Sequence, residues 1–210
     1  MENNNTIAIV FDDHLLFADS FSALIERLEL FSAVHTLNDK KELTHFLIKH
    51  STMRVCLFLD YYLKNENSLT LINEVKRLNR RITVIIVSST ISPITIKNIL
   101  DYKPHGFISK SSGFDTILQC LATIARGNHY ICPIISGIIE NADNTQRIPF
   151  TARELEILQY FAQGLSIAQT AEQTHLSKHT IVAHRRKMMA KVNLNSITEL
   201  LSYARKYELI

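Results

Sequence analysis

The feature that most restricts the fold is the regular alternation of strand-like and helix-like segments over residues 1–130. Segments with apolar residues at helical spacing separate the strand-like runs, and one more, FDTILQCLATIARG (114–127), follows the last run. Strands that alternate with helices of this length form parallel sheets covered on both faces. The sequence therefore predicts a doubly wound α/β domain around a five-stranded parallel sheet. Its strands are expected at IAIVF (7–11), AVHTL (33–37), RVCLFL (54–59), TVIIV (83–87) and HGFIS (105–109).

The alternation stops near Ile134. The segment SGIIENADNTQRIP (136–149) is polar, lacks aromatic residues and ends at Pro149, which is typical of a linker. The remaining residues contain helical patterns and no convincing strand. We therefore predict a first domain over residues 1–130, a linker over 131–147 and a small all-α domain over 148–210.

Composition indicates a globular chain, because 46% of its residues are apolar and 20% are charged. No run approaches the ~18 apolar residues that a membrane span requires. The start, MENNNT, lacks the basic and apolar segments of a secretory signal. Cys56, Cys120 and Cys132 share no metal-ligand spacing, so we expect reduced structural thiols. A cytoplasmic protein without membrane contact is expected.

The charge of the chain is unevenly distributed. Residues 145–210 carry nine Lys or Arg and five Asp or Glu, whereas the other residues carry fourteen and fifteen. The net charge of +3 therefore comes from the helical end. Such an asymmetry favours contact with nucleic acid by that end, although the excess is modest.

Polar side chains follow the predicted strands at the points where these strands end. Ligands of open parallel sheets bind at this carboxyl edge. Crowded carboxylates repel one another unless a cation such as Mg2+ binds them, and a Lys and a hydroxyl can contact an added anion. The set therefore suits a carboxylate that becomes phosphorylated as a covalent acyl phosphate. Its members are Asp12 and Asp13 after the first strand, Asp60 after the third, Ser88 after the fourth and Lys110 after the fifth.

On these residues, the segment 5–127 resembles the receiver domain of bacterial response regulators, which has a flavodoxin-like fold. The spacings agree, with 28 residues from Asp60 to Ser88 and 22 from Ser88 to Lys110. The resemblance implies that Asp60 is the phosphoacceptor and that a sensor histidine kinase is the phosphodonor. It also implies Mg2+ as cofactor. The other implied roles are metal binding by Asp12, Asp13, Asp60 and the backbone carbonyl of Tyr62, a switch hydroxyl on Ser88, a phosphate contact by Lys110 and a switch aromatic at Phe107.

The loop after Asp60 departs from the family pattern. Family members usually have Met-Pro and then Asp-Gly there, whereas this chain has Leu63-Lys64 and Asn67-Ser68. These differences alter the loop beside the acid and leave open a receiver that dimerises without being phosphorylated. A phosphatase or phosphotransferase with an Asp nucleophile is a further alternative. It needs a general acid two residues after Asp60, and Tyr62 at that position argues against it.

The helical end begins with a capping box, in which Thr151 caps a helix and Glu154 returns the bond. Ser166 and Ser177 are suitable caps for two further helices, and Gly164 suits the end of the first. Two short helices joined by a tight turn, the second of them basic, predict a helix-turn-helix.

The segment 148–210 resembles the NarL/LuxR-type DNA-binding domain. The matching residues are Thr151, Arg153-Glu154, Leu158, Gly164, Ala171, Thr180-Ile181, His184 and Lys191-Val192. By this resemblance, Val182, Ala183 and Arg186 face bases of double-stranded DNA. The candidates for contacts with the phosphate backbone are Lys178, Thr180, His184, Arg185 and Lys187. The run HRRK (184–187) is also compatible with a merely solvated basic face.

Two positions of this segment depart from the family, and one surface stays ambiguous. Val182 stands where the family often has Lys, which favours an apolar contact such as a thymine methyl group, and Thr170 stands where it often has Ile. The last helix either supports dimerisation through Leu200, Leu201 and Tyr203 or packs these residues into its own core. Together the two resemblances imply a homodimeric transcription regulator switched by phosphorylation, and not an enzyme.

Overall fold

The computed structural model describes residues 5–63, 66–142, 150–207 and 209–210. Within these residues, six parallel strands form one sheet in the order β2-β1-β3-β6-β7-β8, and β4 and β5 form a separate antiparallel hairpin. The strands are β1 (Thr6–Phe11), β2 (Ala33–Leu37), β3 (Arg54–Asp60), β4 (Tyr62–Leu63), β5 (Glu66–Asn67), β6 (Ile82–Ser88), β7 (Gly106–Ser109) and β8 (Tyr130–Ile131).

The five predicted strands are present, but the predicted number of strands in the sheet is wrong. The sixth strand, β8, pairs with β7 through two backbone hydrogen bonds, Tyr130 N–H to His105 O (3.0 Å) and Cys132 N–H to Phe107 O (2.9 Å). A strand of two residues is too short to produce a periodic pattern, so only the tertiary pairing reveals it.

Helices cover both faces of the sheet. They are α1 (Leu15–Glu26), α2 (Lys40–Lys49), α3 (Leu69–Leu78), α4 (Pro93–Asp101), α5 (Phe114–Ala125) and α6 (Pro133–Glu140). Alternate residues of each strand point to opposite faces, so Ile9 and Leu57 join one core cluster and Val10 and Phe58 join the other. Both faces of the sheet are therefore buried, as predicted for a doubly wound domain. The three cysteines are buried and free.

Part of the predicted linker is structured. Helix α6 lies within the predicted linker range 131–147, and its Ile135 is fully buried in the core of the sheet domain. Residues 143–147, the rest of that range, lie outside the described residues. The exact domain boundaries stay a prediction.

The chain from residue 150 onward is helical where described. Its helices are α7 (Ala152–Ala162), α8 (Ile167–Gln173), α9 (Lys178–Lys191) and α10 (Ile197–Lys206). The predicted capping box of Thr151 and Glu154 is present, and Ser166 and Ser177 cap α8 and α9. Gly164 has a φ of 84°, a left-handed conformation that favours glycine after the end of α7.

The two parts of the chain contact each other. Asn67 accepts a hydrogen bond from Gln159 Nε2 (2.6 Å) and donates one to the backbone oxygen of Leu209 (2.8 Å). Ile94 on α4 is 7% exposed because it packs into the core of the helical part. Both contacts use segments that follow the strand ends at Asp60 and Ser88. No helix among the described residues is both long enough and apolar enough to cross a membrane.

Candidate functional site

The sheet brings the predicted acidic residues and Lys110 together at its carboxyl edge. The strands β1, β3 and β7 are members of one parallel sheet, so Asp12, Asp60 and Lys110 leave it on the same side. Nζ of Lys110 lies 2.7 Å from Oδ2 of Asp12 and 3.1 Å from Oδ2 of Asp60. The ammonium group therefore balances part of the negative charge of two buried carboxylates.

Asp60 is buried at 2% exposure, and its environment favours the protonated form of the carboxyl. Burial raises its pKa to about 6, with Asp12 acting in the same direction and Lys110 and His14 acting against it. Its Oδ1 atom is inaccessible and receives no hydrogen bond from the described residues. A buried carboxylate oxygen without a donor is costly, so this atom is suited to bind a cation or to form a covalent bond.

His14 belongs to the same cluster, although the sequence patterns did not point to it. Its Nδ1 atom lies 3.1 Å from Oδ1 of Asp12, 3.2 Å from Oδ1 of Asp13 and 3.8 Å from Oδ2 of Asp60. One possible ligand atom from each of the four residues falls within a span of 4.8 Å. The position of His14 directly after the two acids is the signal that could have revealed it.

The other residues predicted at this edge lie at a strand end, in the core and in the β4–β5 hairpin. Ser88 ends β6, the neighbour of β3, and its Oγ accepts a hydrogen bond from the N–H of Thr90 (3.1 Å). Phe107 on β7 is fully buried in the core. Tyr62 begins β4 two residues after Asp60 and pairs with Asn67 in the hairpin. Ser88 and Tyr62 are therefore placed beside the acid by neighbouring segments.

All eight residues predicted to contact DNA lie on α9. Lys178, Ala183, Arg186 and Lys187 are exposed, and the other four are partly buried. Ile181 and Met188 form the buried side of the helix. The predicted base-facing residues Val182, Ala183 and Arg186 occupy the side away from this stripe, as expected for a helix with 3.6 residues per turn.

Two details of α9 add to the sequence prediction. His179 is exposed and shares the solvent side with Ala183 and Arg186, since three or four residues separate Ala183 from each of the other two. Arg185 has a buried Nε atom without a hydrogen-bond partner among the described residues, which places the base of its guanidinium near the domain interior. His179 is thus exposed on the same side of α9 as Ala183 and Arg186.

A charged pair joins α9 to α7. Oε2 of Glu154 receives a hydrogen bond from Nζ of Lys191 (2.5 Å) and another from the N–H of Thr151 (2.7 Å). Burial acts to raise the pKa of Glu154, but these two partners together lower it below its ordinary value. Arg153 donates to the backbone oxygen of Thr174 and to Glu156. The Glu154–Lys191 pair therefore ties the C-terminal end of the basic helix to the start of α7.

Comparisons with known proteins agree with both halves of the structure. Residues 8–122 match the family described as response regulator receiver domain, and residues 149–204 match bacterial regulatory proteins of the luxR family. Fimbriae Z protein of Salmonella typhimurium is 26% identical over 206 residues, with 96% of this chain and 97% of the relative covered. Transcriptional regulatory protein UhpA of Escherichia coli is 27% identical over 195 residues, with 93% and 95% covered.

The fold of the whole chain also resembles that of a solved structure. The response regulator RcsB in a complex with DNA superposes with a TM-score of 0.61 at 23% identity, covering 96% of this chain and 98% of that one. The chain belongs to the bacterial response regulators of the NarL/LuxR class, transcription regulators that join a receiver domain to a LuxR-type DNA-binding domain.

Proposed function

We propose that this response regulator is switched by transfer of a phosphoryl group from a sensor histidine kinase to Asp60. The observation that carries the proposal is the state of that carboxylate. It is buried, its Oδ1 atom lacks a donor among the described residues, and Lys110 lies 3.1 Å from its Oδ2 atom. An oxygen of Asp60 would form the new P–O bond while the bond from phosphorus to the donor nitrogen breaks, and the leaving nitrogen keeps that electron pair.

The surrounding residues suit this transfer. Lys110 would contact the oxygens of the added phosphoryl group, and Ser88 would offer its hydroxyl to one of them. The carboxylates of Asp12, Asp13 and Asp60, with the backbone carbonyl of Tyr62, would hold Mg2+, an ion that takes oxygen ligands, and Oδ1 of Asp60 is a buried oxygen without a hydrogen-bond donor among the described residues. When bound, Mg2+ supplies positive charge that offsets the charge developing on the phosphoryl oxygens. Tyr62 cannot act as the carboxylic acid that a phosphatase would need there.

A chain of hydrogen bonds supports coupling between this site and the DNA-binding domain. The N–H groups of Thr90 and Ser92 donate to Ser88 Oγ (3.1 Å) and Thr90 Oγ1 (3.3 Å). Ser92 Oγ lies 3.0 Å from Thr95 Oγ1, which donates to the backbone oxygen of Tyr207 in the DNA-binding domain (3.2 Å). A shift of Ser88 toward the phosphoryl group would pull on this chain, so the resting domain contact would weaken.

The released DNA-binding domains would act in pairs. Helix α9 would enter the major groove with Val182, Ala183 and Arg186 toward the bases, and basic residues such as Lys178 and Lys187 would contact phosphates. The solved relative RcsB is described in a complex with DNA, and another structure holds two RcsB dimers on two DNAs. We extend DNA binding as a homodimer to this chain, and we place its action in the cytoplasm.

The test uses a small phosphodonor with Mg2+ and reads intact mass and oligomeric state together. Wild-type protein is compared with Asp60→Asn and with Asp115→Asn, whose carboxylate is exposed on α5 and serves as a matched control. We expect a phosphate-sized gain in mass and a shift to dimer for wild type and Asp115→Asn, and neither for Asp60→Asn.

Binding to a library of duplex DNA is measured on the same samples, because it separates the parts of the proposal. A gain in mass that survives in Asp60→Asn would reject Asp60 as the acceptor. No gain in wild type, with DNA binding intact, would instead point to a receiver that dimerises without phosphate.

A further inference from the structure

The side chain of His14 adds a nitrogen atom to a site otherwise made of carboxylates. Its Nδ1 atom is 3.1 Å from Oδ1 of Asp12 and 3.2 Å from Oδ1 of Asp13. Ligands bound to one ion at about 2.1 Å lie roughly 3 to 4 Å apart, so these separations suit atoms that share an ion as well as the hydrogen bond between Nδ1 and Oδ1 of Asp12. The imidazole is therefore close enough to the carboxylates to share a cation with them.

The backbone keeps His14 in this position. Its N–H donates to Oδ1 of Asp12 (2.8 Å) at the start of α1. This backbone contact holds residue 14 beside the acids in any orientation of its ring. The ring itself is 65% exposed and has room to turn toward a bound ion. The imidazole can thus reach the site without a change in the fold.

A second and independent observation points to a cation. Lys110 contacts Oδ2 of both Asp12 and Asp60, which leaves Oδ1 of each carboxylate outside that contact. Oδ1 of Asp60 is buried and receives no hydrogen bond from the described residues. The lysine therefore neutralises only one side of the cluster, and the other side keeps an unpartnered buried oxygen within that part of the chain.

The type of ligand decides which cation this arrangement favours. Mg2+ takes oxygen ligands and gains little from an imidazole, whereas first-row transition ions such as Co2+, Ni2+ and Zn2+ bind imidazole nitrogen well. We propose that the site accepts a divalent first-row transition ion through Asp12, Asp13, Asp60 and Nδ1 of His14, in competition with Mg2+. The proposal rests on the acidic metal site of the proposed function and adds to it a nitrogen ligand and an ion preference.

The experiment measures metal affinity directly, without any phosphodonor. Metal-free full-length protein is titrated calorimetrically with Co2+ and, separately, with Mg2+, and the visible absorption of bound Co2+ is recorded. The variants are His14→Ala, Asp60→Asn and His45→Ala, in which an exposed histidine of α2 is removed as a matched control. Circular dichroism verifies that each variant is folded.

We expect His14→Ala to weaken Co2+ binding at least tenfold and to change the Co2+ absorption, with Mg2+ affinity altered less than about twofold. His45→Ala should leave both ions unaffected, and Asp60→Asn should weaken both. An equal effect of His14→Ala on both ions, or no effect on Co2+, would overturn the nitrogen ligand while leaving the Mg2+ site standing. Wild-type protein that binds neither ion would overturn the inference together with the metal part of the proposed function.

Discussion

In the proposed transfer, the carboxylate of Asp60 has to be ionised to attack phosphorus, yet its surroundings favour the protonated form. Burial is the larger effect, and Lys110 offsets only part of it, so the pKa settles at about 6. At neutral pH most molecules therefore still carry the reactive anion, and that anion is more basic than that of an exposed aspartate. The site thus keeps its nucleophile at a cost in stability.

That cost gives the first prediction, which concerns Asp60→Asn in buffer without divalent cations. The folded-state pKa of about 6 exceeds the ordinary value of 3.8, so the folded state binds the proton more tightly than the unfolded state does. The stability that the protonated carboxyl of Asp60 contributes is fully present below about pH 4 and is lost as the pH rises through about 6. The uncharged amide avoids this loss. Asp60→Asn should raise the free energy of unfolding by roughly 1–3 kcal/mol at about pH 8, and by much less at about pH 4.

Urea denaturation at the two pH values measures this difference, with Asp115→Asn as the control for removing an exposed charge. Because a bound cation would stabilise the ionised carboxylate of Asp60, Mg2+ should shrink the gain at the higher pH. A loss of stability in Asp60→Asn at both pH values would mean that the carboxylate stabilises the fold, which would contradict the prediction.

At the scale of helices and strands, the sequence predicts the elements that have a local pattern of apolar residues. The strands around Asp60, Ser88 and Lys110 follow from apolar runs, and their shared edge follows from parallel topology, so the acidic site is predictable from the sequence alone. Strand β8 and the burial of α6 are not, because a two-residue strand has no period and Ile135 is buried only by its tertiary neighbours. His14 follows the two acids in the sequence, but only the fold shows that its ring lies among the carboxylates.

Helix α9 depends on α7 in a way that the sequence also does not reveal. Glu154 is 1% exposed and its partner Lys191 is 24% exposed, so the pair that joins the two helices is mostly shielded from water. Thr151 and Glu154 are recognisable as a capping box, but the same carboxylate also holds the end of the basic helix. One residue thus caps one helix and anchors another.

The second prediction follows from this double role. Glu154→Gln should lower the free energy of unfolding of the helical domain by about 2 kcal/mol near neutral pH, because Lys191 loses its charged partner and is only partly exposed. The pKa of Glu154 lies below its ordinary value of 4.5, so the ion pair stabilises above that pH. Its contribution falls as the pH decreases through the lower folded-state pKa.

Urea denaturation followed by helical circular dichroism measures this loss, and Glu172→Gln on α8 provides the exposed control. The difference between wild type and Glu154→Gln should shrink in acid. A difference that stays constant down to about pH 3 would assign the effect to packing rather than to the charge.

At the scale of the whole molecule, the two domains share buried polar contacts that either domain can weaken. Gln159 of α7 donates to Asn67, and Asn67 lies in the hairpin that follows Asp60, the proposed phosphoacceptor. If phosphorylation of Asp60 loosens this contact, then thermodynamic linkage requires that loosening the contact favours phosphorylation. The coupling can therefore be tested by a substitution in the DNA-binding domain, outside the acidic site.

The third prediction applies this reciprocity to Gln159→Ala. The substitution removes one buried hydrogen bond, worth about 1 kcal/mol, and alanine preserves the helical propensity of α7. At a limiting concentration of small phosphodonor, the equilibrium ratio of phosphorylated to unphosphorylated protein should rise up to roughly fivefold over wild type.

The matched control is Gln173→Ala, which removes an exposed glutamine from α8. Intact mass spectrometry reads the ratio, and small-angle scattering reads the separation of the domains. A more extended Gln159→Ala protein with an unchanged ratio would mean that the domain contact and the acyl phosphate are energetically independent. Release of the DNA-binding domain would then have to originate elsewhere in the receiver, because contacts that do not sense the phosphoryl group cannot transmit it.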